Sequence, residues 1–179
     1  MPNYIRSRNG STYFFTVVTH LRQQFLCSDK AVRALKAITS EVRQRRPFEI
    51  KAWVILPEHM HCIWELPEGD VDYSVRWALI KKSFTNEMQG SIQTPEPDMS
   101  RIRKREGTIW QRRFWEHRIK DDIDLQRHVE YIHYNPVKHG LVHSPKDWEL
   151  SSFREYVERG LYPVDWGCSE IEFNDIGPE

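Results

Sequence analysis

Two histidines separated by one apolar residue are the feature of this sequence most suggestive of chemistry. His59 and His61 flank Met60 within the apolar stretch 56–66. In an extended strand, alternate side chains point to the same face, so the two imidazoles project together. Neutral imidazole is the commonest metal ligand in proteins. The spacing therefore predicts either a two-histidine metal site or two solvated side chains on a half-exposed strand.

A second set of candidate residues lies on a helix near residue 130. Tyr131 and Asn135 are four residues apart and share a helix face. If this face packs against His59 and His61, the site combines two imidazoles, an amide carbonyl and a phenol around one divalent ion. Such a set suits phosphoryl transfer, in which the ion polarises a phosphodiester and the phenol oxygen attacks phosphorus. If the two faces do not meet, Tyr131 is an ordinary interfacial tyrosine.

The elements that would position these residues alternate between strand and helix patterns. Their order follows the split βαβ arrangement of ferredoxin-like folds. We therefore predict an α+β fold with an antiparallel sheet, helices on one face, and a C-terminal tyrosine helix with a docked tail. The predicted elements are a strand at 11–20, a helix from 29 to Pro47, strands at 49–56 and 59–66, a helix at 71–88, a strand at 108–119 and a helix at 123–135.

Three finer expectations concern the second half of the chain. Val75, Leu79 and Phe84 are predicted to form the core-facing side of their helix. Residues 90–107 are rich in proline, serine and charge, which predicts a mobile linker without regular structure. Pro136 is predicted to end the tyrosine helix, because a residue preceding proline is disfavoured in the α conformation.

Charge is distributed unevenly along the 179 residues, although the net charge is zero. Residues 1–120 carry 21 Lys and Arg against 13 acids, and residues 121–179 carry 5 against 13. We therefore divide the chain into a domain at 1–142 and an acidic tail at 143–179 that packs on the domain. The tail is predicted either to restrain activity at a polyanion-binding face or to serve as a stabilising segment.

Composition favours a reduced, soluble, cytoplasmic protein. The three cysteines are scattered, which argues against a disulfide framework. Apolar runs of membrane-spanning length are absent from the sequence, so no membrane partner is expected.

Cations interleave with aromatic residues in the segment 108–119. This mixture suits phosphate contacts and base stacking, and equally suits an ordinary edge strand. The candidate nucleic-acid contacts are Arg76, Lys81, Lys82, Arg112, Arg113 and Arg118.

Several motifs in fixed order resemble one family. The sequence Leu-Pro-Glu-His-Met-His at 56–61 is followed by Trp-Glu-His-Arg at 115–118 and by Tyr-Ile-His-Tyr-Asn-Pro-Val-Lys-His-Gly-Leu-Val at 131–142. Together these motifs resemble the REP-associated tyrosine transposases, a branch of the single-tyrosine HUH transposases of bacterial insertion sequences. Later motifs at 147–153 and 162–167 are also similar, so the resemblance covers roughly residues 4–167.

The resemblance implies a metal-dependent single-stranded DNA endonuclease and strand transferase that acts on REP-type palindromic hairpins. It makes His59 and His61 ligands of Mg²⁺ or Mn²⁺ and makes Tyr131 the nucleophile of a 5′-phosphotyrosyl intermediate. Asn135 stands where relatives often have a glutamine that completes the metal site. Tyr134 is a competing nucleophile. No nucleotide cofactor is implied, and relatives include dimers that swap the tyrosine helix, so both a monomer and a homodimer stay open.

Other functions remain compatible with the residues alone. A DNA-hairpin-binding regulator with the same fold would bind without cleaving. A zinc hydrolase using His59 and His61 would not need Tyr131. A purely structural role would leave both histidines solvated.

Overall fold

A four-stranded antiparallel sheet forms the centre of the protein. The computed structural model describes residues 11–104 and 107–169, together with residues 171, 173 and 176. The strand order is β2-β3-β1-β4, the order of a split βαβ sheet, and the predicted fold class is confirmed. The strands are β1 (Thr12–Val18), β2 (Glu49–Ile55), β3 (His59–Glu65) and β4 (Trp115–Arg118).

Five α-helices of the described residues surround the sheet. They are α1 (Asp29–Arg45), α2 (Tyr73–Met88), α3 (Met99–Lys104), α4 (Asp122–Lys138) and α5 (Phe153–Glu158). Within the described ranges, no helix has the length and apolar character needed to cross a membrane.

The central strand β1 supplies side chains to two separate cores. Phe15 and Val17 pack in the core beneath α1 and α2, whereas Phe14 packs in the core beneath α4. Every residue of β1 is buried, because alternate side chains point to opposite, covered faces of the sheet. The tyrosine helix therefore covers the face of the sheet that α1 and α2 leave open, as predicted.

The core-facing side of α2 differs from the prediction. Trp77 and Phe84 are buried, whereas Val75 and Leu79 are exposed. The Trp77 ring stacks on Trp64 of β3 at 4.3 Å between centroids. The larger apolar area of tryptophan thus determines which side faces inward, and the two smaller aliphatic side chains remain on the outer face.

Residues 99–104 form a helix within the predicted linker 90–107, so the predicted lack of regular structure is wrong there; residues 105 and 106 lie outside the described residues. Asp98 accepts a hydrogen bond from the Arg101 backbone N–H at 2.8 Å and begins α3. Arg101 is buried and donates to the carbonyl oxygens of Gly107 and Trp110. This anchor binds the short helix to the segment before β4, and β4 itself covers only four residues of the predicted strand 108–119.

Helix α4 passes through Pro136 and ends at Lys138, so the predicted stop at Pro136 is wrong. Asp121 caps its start by accepting a hydrogen bond from the Asp124 N–H at 2.8 Å. Proline removes one backbone donor from the last turn. The C-terminal turn is closed instead by hydrogen bonds from the N–H groups of His139 and Leu141 to the carbonyl oxygens of Asn135 and Pro136.

The segment after α4 returns to the sheet. The N–H of Ser152 donates to the carbonyl of Trp53 at 2.9 Å, and the N–H of Ile55 donates to the carbonyl of Leu150 at 2.8 Å. These bonds lie along the outer edge of β2. Phe153 and Tyr162 then enter the core beneath α4. The boundary at residue 142 remains a prediction.

Candidate active site

His59 and His61 lie on the α4 face of β3, and each is 1% exposed. Their ring centroids are 4.9 Å apart. Because both rings are buried, the alternative of two solvated histidines is wrong. Burying two imidazoles side by side costs free energy unless each nitrogen atom has a hydrogen-bond or metal partner.

The Nδ1 atom of each histidine has an outer partner. Glu58 Oε1 lies 3.1 Å from Nδ1 of His59, and Thr16 Oγ1 lies 2.9 Å from Nδ1 of His61. Histidines that bind metals typically hold their second nitrogen in this way, which fixes the tautomer and the ring direction. Nε2 of each ring would then be the ligand atom for a metal ion. Nε2 of His61 is buried and accepts no hydrogen bond from the residues that the structure describes.

The electrostatic surroundings keep His61 neutral. Burial lowers its pKa well below the ordinary value, and the neighbouring His59, His139 and Lys138 lower the pKa further. A neutral imidazole is the form that binds a metal ion. The neutral His61 ring is therefore suited to bind a metal cation at the nitrogen that carries no proton.

Tyr131 on α4 and His139, the residue that follows α4, lie against the two histidines. The ring of Tyr131 lies 5.3 Å from the ring of His61, and the ring of His139 lies 5.1 Å from that of His59. Asn135 lies between Tyr131 and His139 on the same helix face. The two sets of residues predicted from sequence therefore meet in the folded chain.

The Asn135 amide supports a metal-binding role for this site. The residue is fully buried, and within the described residues neither Oδ1 nor Nδ2 has a hydrogen-bond partner. An unsatisfied buried amide costs about 1–3 kcal/mol. An ion held by the imidazoles would satisfy Oδ1, so the residues present fit a divalent cation with mixed nitrogen and oxygen ligands.

Two residues at the end of α4 were missed by sequence reasoning. His139 contributes a third imidazole, and the ammonium of Lys138 lies 4.9 Å from the centroid of the Tyr131 ring. The spacing of four residues from Asn135 to His139 was an available signal. The prediction that Pro136 ends the helix excludes His139 from this helix face.

The competing tyrosine occupies a different environment. The Tyr134 ring packs against Phe173 and Trp166, and its hydroxyl accepts a hydrogen bond from the Ile171 N–H at 3.3 Å. The ring contact of Tyr131 with His61 favours Tyr131 as the nucleophile.

The C-terminal tail covers the candidate nucleophile. The Phe173 ring lies 5.7 Å from the Tyr131 ring, and Tyr131 is only 2% exposed. Neighbouring side chains therefore restrict access to the Tyr131 ring.

A polar cluster joins β4 to α4 beside the site. His117 Nε2 lies 2.8 Å from Asp124 Oδ2, and His128 Nδ1 lies 3.1 Å from Asp124 Oδ1. These three residues offer metal-ligand atoms within 4.8 Å of one another. However, the two imidazoles stack at 4.6 Å with an interplanar angle of 11°, so one ion cannot lie in both ring planes. The cluster therefore acts as a hydrogen-bonded connection that holds the tyrosine helix against the sheet.

The candidate DNA-contacting cations fall into two groups. Arg76 is 2% exposed and binds the carboxylate of Asp70 and the carbonyl oxygens of Arg46 and Pro47, so its assignment as a DNA contact is wrong. Its guanidinium is fully used in connecting α2 to the segment before β2. Lys82, Arg112, Arg113 and Arg118 are exposed, and Lys81 is partly buried.

Comparison with known proteins identifies the family of this chain. A family model described as "Transposase IS200 like" matches residues 7–135. A REP-associated tyrosine transposase of Escherichia coli (strain K12) is 46% identical over 165 residues, covering 92% of this chain and 90% of that protein. The chain belongs to the IS200-like transposases. Within this family it is a member of the REP-associated tyrosine transposases, and it is therefore a transposase enzyme.

One solved structure extends the likeness to three dimensions. It is a REP-associated tyrosine transposase bound to a REP hairpin, and it is 42% identical to this chain. The TM-score is 0.73, and the alignment covers 100% of this chain and 98% of the other. The family resemblance predicted from the ordered motifs is confirmed for this IS200-like transposase.

Proposed function

We propose that the chain cleaves and rejoins single-stranded DNA at REP-type hairpins through a covalent 5′-phosphotyrosyl intermediate on Tyr131. The observation that carries the proposal is the position of the Tyr131 ring 5.3 Å from His61, a buried histidine whose Nδ1 is already held by Thr16. A nucleophile beside a prepared metal-ligand set is the arrangement that phosphoryl transfer requires.

A divalent ion would be held by Nε2 of His59, Nε2 of His61 and Oδ1 of Asn135. When bound, Mg²⁺ or Mn²⁺ supplies Lewis-acid polarisation of the scissile phosphodiester. Mixed nitrogen and oxygen ligands suit Mn²⁺ well, whereas Mg²⁺ prefers oxygen ligands. We therefore expect Mn²⁺ to support activity at least as well as Mg²⁺.

Tyr131 carries the covalent step. Its phenol oxygen loses a proton and attacks phosphorus, and the bond from phosphorus to the 3′-oxygen breaks. The departing 3′-oxygen takes up a proton, and the 5′-phosphate remains on the tyrosine. A DNA 3′-hydroxyl can later attack this ester and restore the phenol. The phosphotyrosyl ester retains the energy of the broken phosphodiester, so rejoining needs no nucleotide cofactor.

Lys138 is the nearest cation to the attacking residue among the contacts described above. We propose that its ammonium pairs with a non-bridging oxygen of the scissile phosphate and stabilises charge that develops during attack.

The remaining cations would bind the DNA backbone. Lys81, Lys82, Arg112, Arg113 and Arg118 are proposed contacts, which implies an affinity that falls as salt rises. Because the proposed substrate is chromosomal DNA, the cytoplasm is the expected site of action.

The tail is proposed to restrain this reaction. Phe173 packs on Tyr131, so the tail must move before a scissile phosphate reaches the phenol oxygen. Its acidic composition also opposes the approach of a polyanion.

A covalent-adduct assay tests the proposal. The protein is incubated with a REP-type hairpin oligonucleotide and Mn²⁺, and the products are separated on a denaturing gel. We expect a slower protein band that carries DNA, present with Tyr134→Phe and absent with Tyr131→Phe. An adduct that persists in Tyr131→Phe would contradict the nucleophile assignment. Hairpin binding without any adduct would instead identify a non-cleaving regulator.

A further inference from the structure

A cavity of about 450 Å³ lies between α2, α3 and the segment before β4. Its volume is within the range of about 300–1,000 Å³ that is typical of ligand pockets. Among the residues that the structure describes, four cations and no carboxylates line it, and the Asp98 carboxylate, which interacts with Arg101 and Arg112, lies outside this lining. The lining residues that matter here are Lys81, Lys82, Arg101, Trp110, Gln111 and Arg112.

Lys81 is a partly buried cation at the wall of this cavity. Its ammonium donates to the carbonyl oxygen of Gln111 at 2.7 Å, a neutral acceptor. Burial and the nearby charge of Arg101 lower the pKa of Lys81 to about 8. The ammonium is still mostly protonated at neutral pH, and a bound anion would stabilise it.

Arg101 adds a second positive charge that is held by neutral groups. It is 5% exposed, and its guanidinium donates to the carbonyl oxygens of Gly107 and Trp110 and to Nδ1 of His20. The positive charge of Arg101, together with burial, lowers the pKa of the neighbouring His20. Two charges that are both held by neutral acceptors produce a local positive potential.

Trp110 supplies a further unused donor. Trp110 is 6% exposed, and its Nε1–H is buried with no acceptor among the residues that the structure describes. The Lys81 ammonium also lies 6.0 Å from the centroid of the Trp110 ring. Because this nitrogen is buried, the anion preference of the cavity rests on its four cations, which suit a phosphate rather than a cation or an apolar group.

The cavity lies near the end of the sheet that carries the metal-ligand set. The Gln111 N–H donates to the carbonyl of Val18, and Val18 is paired with His59 across β1 and β3. Adjacent strands are about 4.8 Å apart, so Gln111 lies roughly 10 Å from the His59 backbone. The cavity lies on the α2 face of the sheet and the metal-ligand set on the α4 face, so a DNA strand that occupies both would pass round this end of the sheet.

We infer that this cavity binds a backbone phosphate of unpaired DNA that flanks the hairpin, with Lys81, Arg101 and Arg112 as its cationic partners. The inference rests on the proposed function, because it assumes that a DNA strand passes through the active site. It adds a second anchoring point that would define the path of the flanking strand.

The test compares three fluorescent oligonucleotides that share one REP-type hairpin: one without an extension, one with an unpaired 5′ extension and one with an unpaired 3′ extension. Binding is measured by anisotropy over a series of salt concentrations. Lys81→Met and Arg112→Gln are compared with Arg33→Gln, which removes one exposed charge on α1, outside the cavity. Thermal unfolding of each variant checks its fold, and Arg112→Gln, which changes an exposed side chain, keeps the test valid if Lys81→Met is unstable.

We expect Lys81→Met and Arg112→Gln to weaken binding of one extended oligonucleotide about tenfold, and to weaken the bare hairpin much less. The slope of log K against log salt should fall by about 0.7 for that oligonucleotide, the value for one phosphate contact on a single strand. Equal losses on all three oligonucleotides, or losses no greater than with Arg33→Gln, would overturn the inference. Inorganic pyrophosphate should compete for the extension-dependent part only, and competition against the bare hairpin to the same extent would also overturn it.

The adduct assay separates this inference from the proposed function. A wild-type protein that forms the Tyr131 adduct but shows no extension-dependent loss in the variants would reject the phosphate cavity alone. Absence of the adduct in the wild type would reject the proposed function.

Discussion

Tyr131 on α4 and His61 on β3 belong to the same chain, and their ring centroids lie 5.3 Å apart. Phe14 of β1 contacts both rings, at 6.1 Å from Tyr131 and 5.4 Å from His61. The relative position of the proposed nucleophile and the proposed metal ligand is therefore set by a shared, buried aromatic side chain. One chain is sufficient to assemble this arrangement.

Replacing Asn135 with an apolar residue should raise the stability of the protein and lower its activity. Asn135→Leu replaces a buried amide whose two polar atoms have no hydrogen-bond partner among the described residues with an apolar side chain of similar size. We expect the metal-free protein to be stabilised by about 1–3 kcal/mol, and adduct formation to be strongly reduced. Urea unfolding and the adduct assay measure the two effects. Asn135→Gln is the matched control that keeps the carbonyl, and destabilisation by Asn135→Leu would argue that the amide is satisfied in the fold.

Thr16 should act on the metal site through His61. Thr16→Val keeps the shape of the side chain but removes the hydroxyl that lies 2.9 Å from His61 Nδ1. Loss of such an outer partner typically weakens metal affinity about 10–100-fold. Mn²⁺ titration followed by electron paramagnetic resonance gives the affinity directly. Thr39→Val on α1 serves as the control, and equal Mn²⁺ affinity in both variants would show that Thr16 does not orient the ligand.

Removing the tail contact should accelerate cleavage. Phe173→Ala takes away a ring that packs on Tyr131, and the same effect is expected from ending the chain at Ser169. The initial rate of adduct formation should rise several-fold, because the phenol is exposed more often. Val164→Ala, which alters an exposed side chain, provides the comparison.

Truncation at Gly140 or Gly160 is unsuitable as a test, because it would also remove buried core residues such as Tyr162. A rate unchanged in Phe173→Ala and in the truncated chain would make the tail a stabilising segment only.

Asp70 and Arg76 should contribute stability that depends on pH. Hydrogen bonding from the Arg76 guanidinium lowers the pKa of Asp70 below its ordinary value. The contribution is therefore complete above the unfolded-state pKa of about 3.9 and is lost as the pH falls through the lower folded-state value. Because Asp70 is partly exposed, Asp70→Asn should cost about 1–2 kcal/mol at pH 7.

Urea unfolding at several pH values checks this expectation. The difference between wild type and Asp70→Asn should shrink as the pH falls below 4, whereas Asp165→Asn at an exposed position should show little difference at any pH. A wild-type advantage that is constant down to pH 2.5 would contradict the assignment of the shift to this pair.

Local sequence patterns correctly predicted which residues share a face of a strand or helix. Alternation placed His59 and His61 on one strand face, and the spacing of four residues placed Tyr131 and Asn135 on one helix face; both relationships hold in the structure. That the two faces meet could only be hypothesised, since the contact crosses a long sequence separation. Thr16 illustrates the same limit, because its hydroxyl reaches His61 from a neighbouring strand.

The wrong predictions have identifiable physical causes. Pro136 is tolerated because the helix needs only two further residues beyond it, and the chain closes the last turn with other backbone bonds. Arg76 resembled a DNA contact because its charge is visible in the sequence, whereas its acceptors on Arg46, Pro47, Asp70 and Asp72 are visible only in the structure. At Pro136 local backbone bonds, and at Arg76 hydrogen bonds from its side chain, outweighed a sound sequence rule.

The return of residues 150–152 to the sheet has a consequence for self-association. Their hydrogen bonds already occupy the outer edge of β2, and the opposite edge strand, β4, is only four residues long. Short or covered edges discourage the addition of a strand from another molecule. We therefore expect that any homodimer of this chain forms through its helices or its tail, and that its sheet does not continue into that of a second copy.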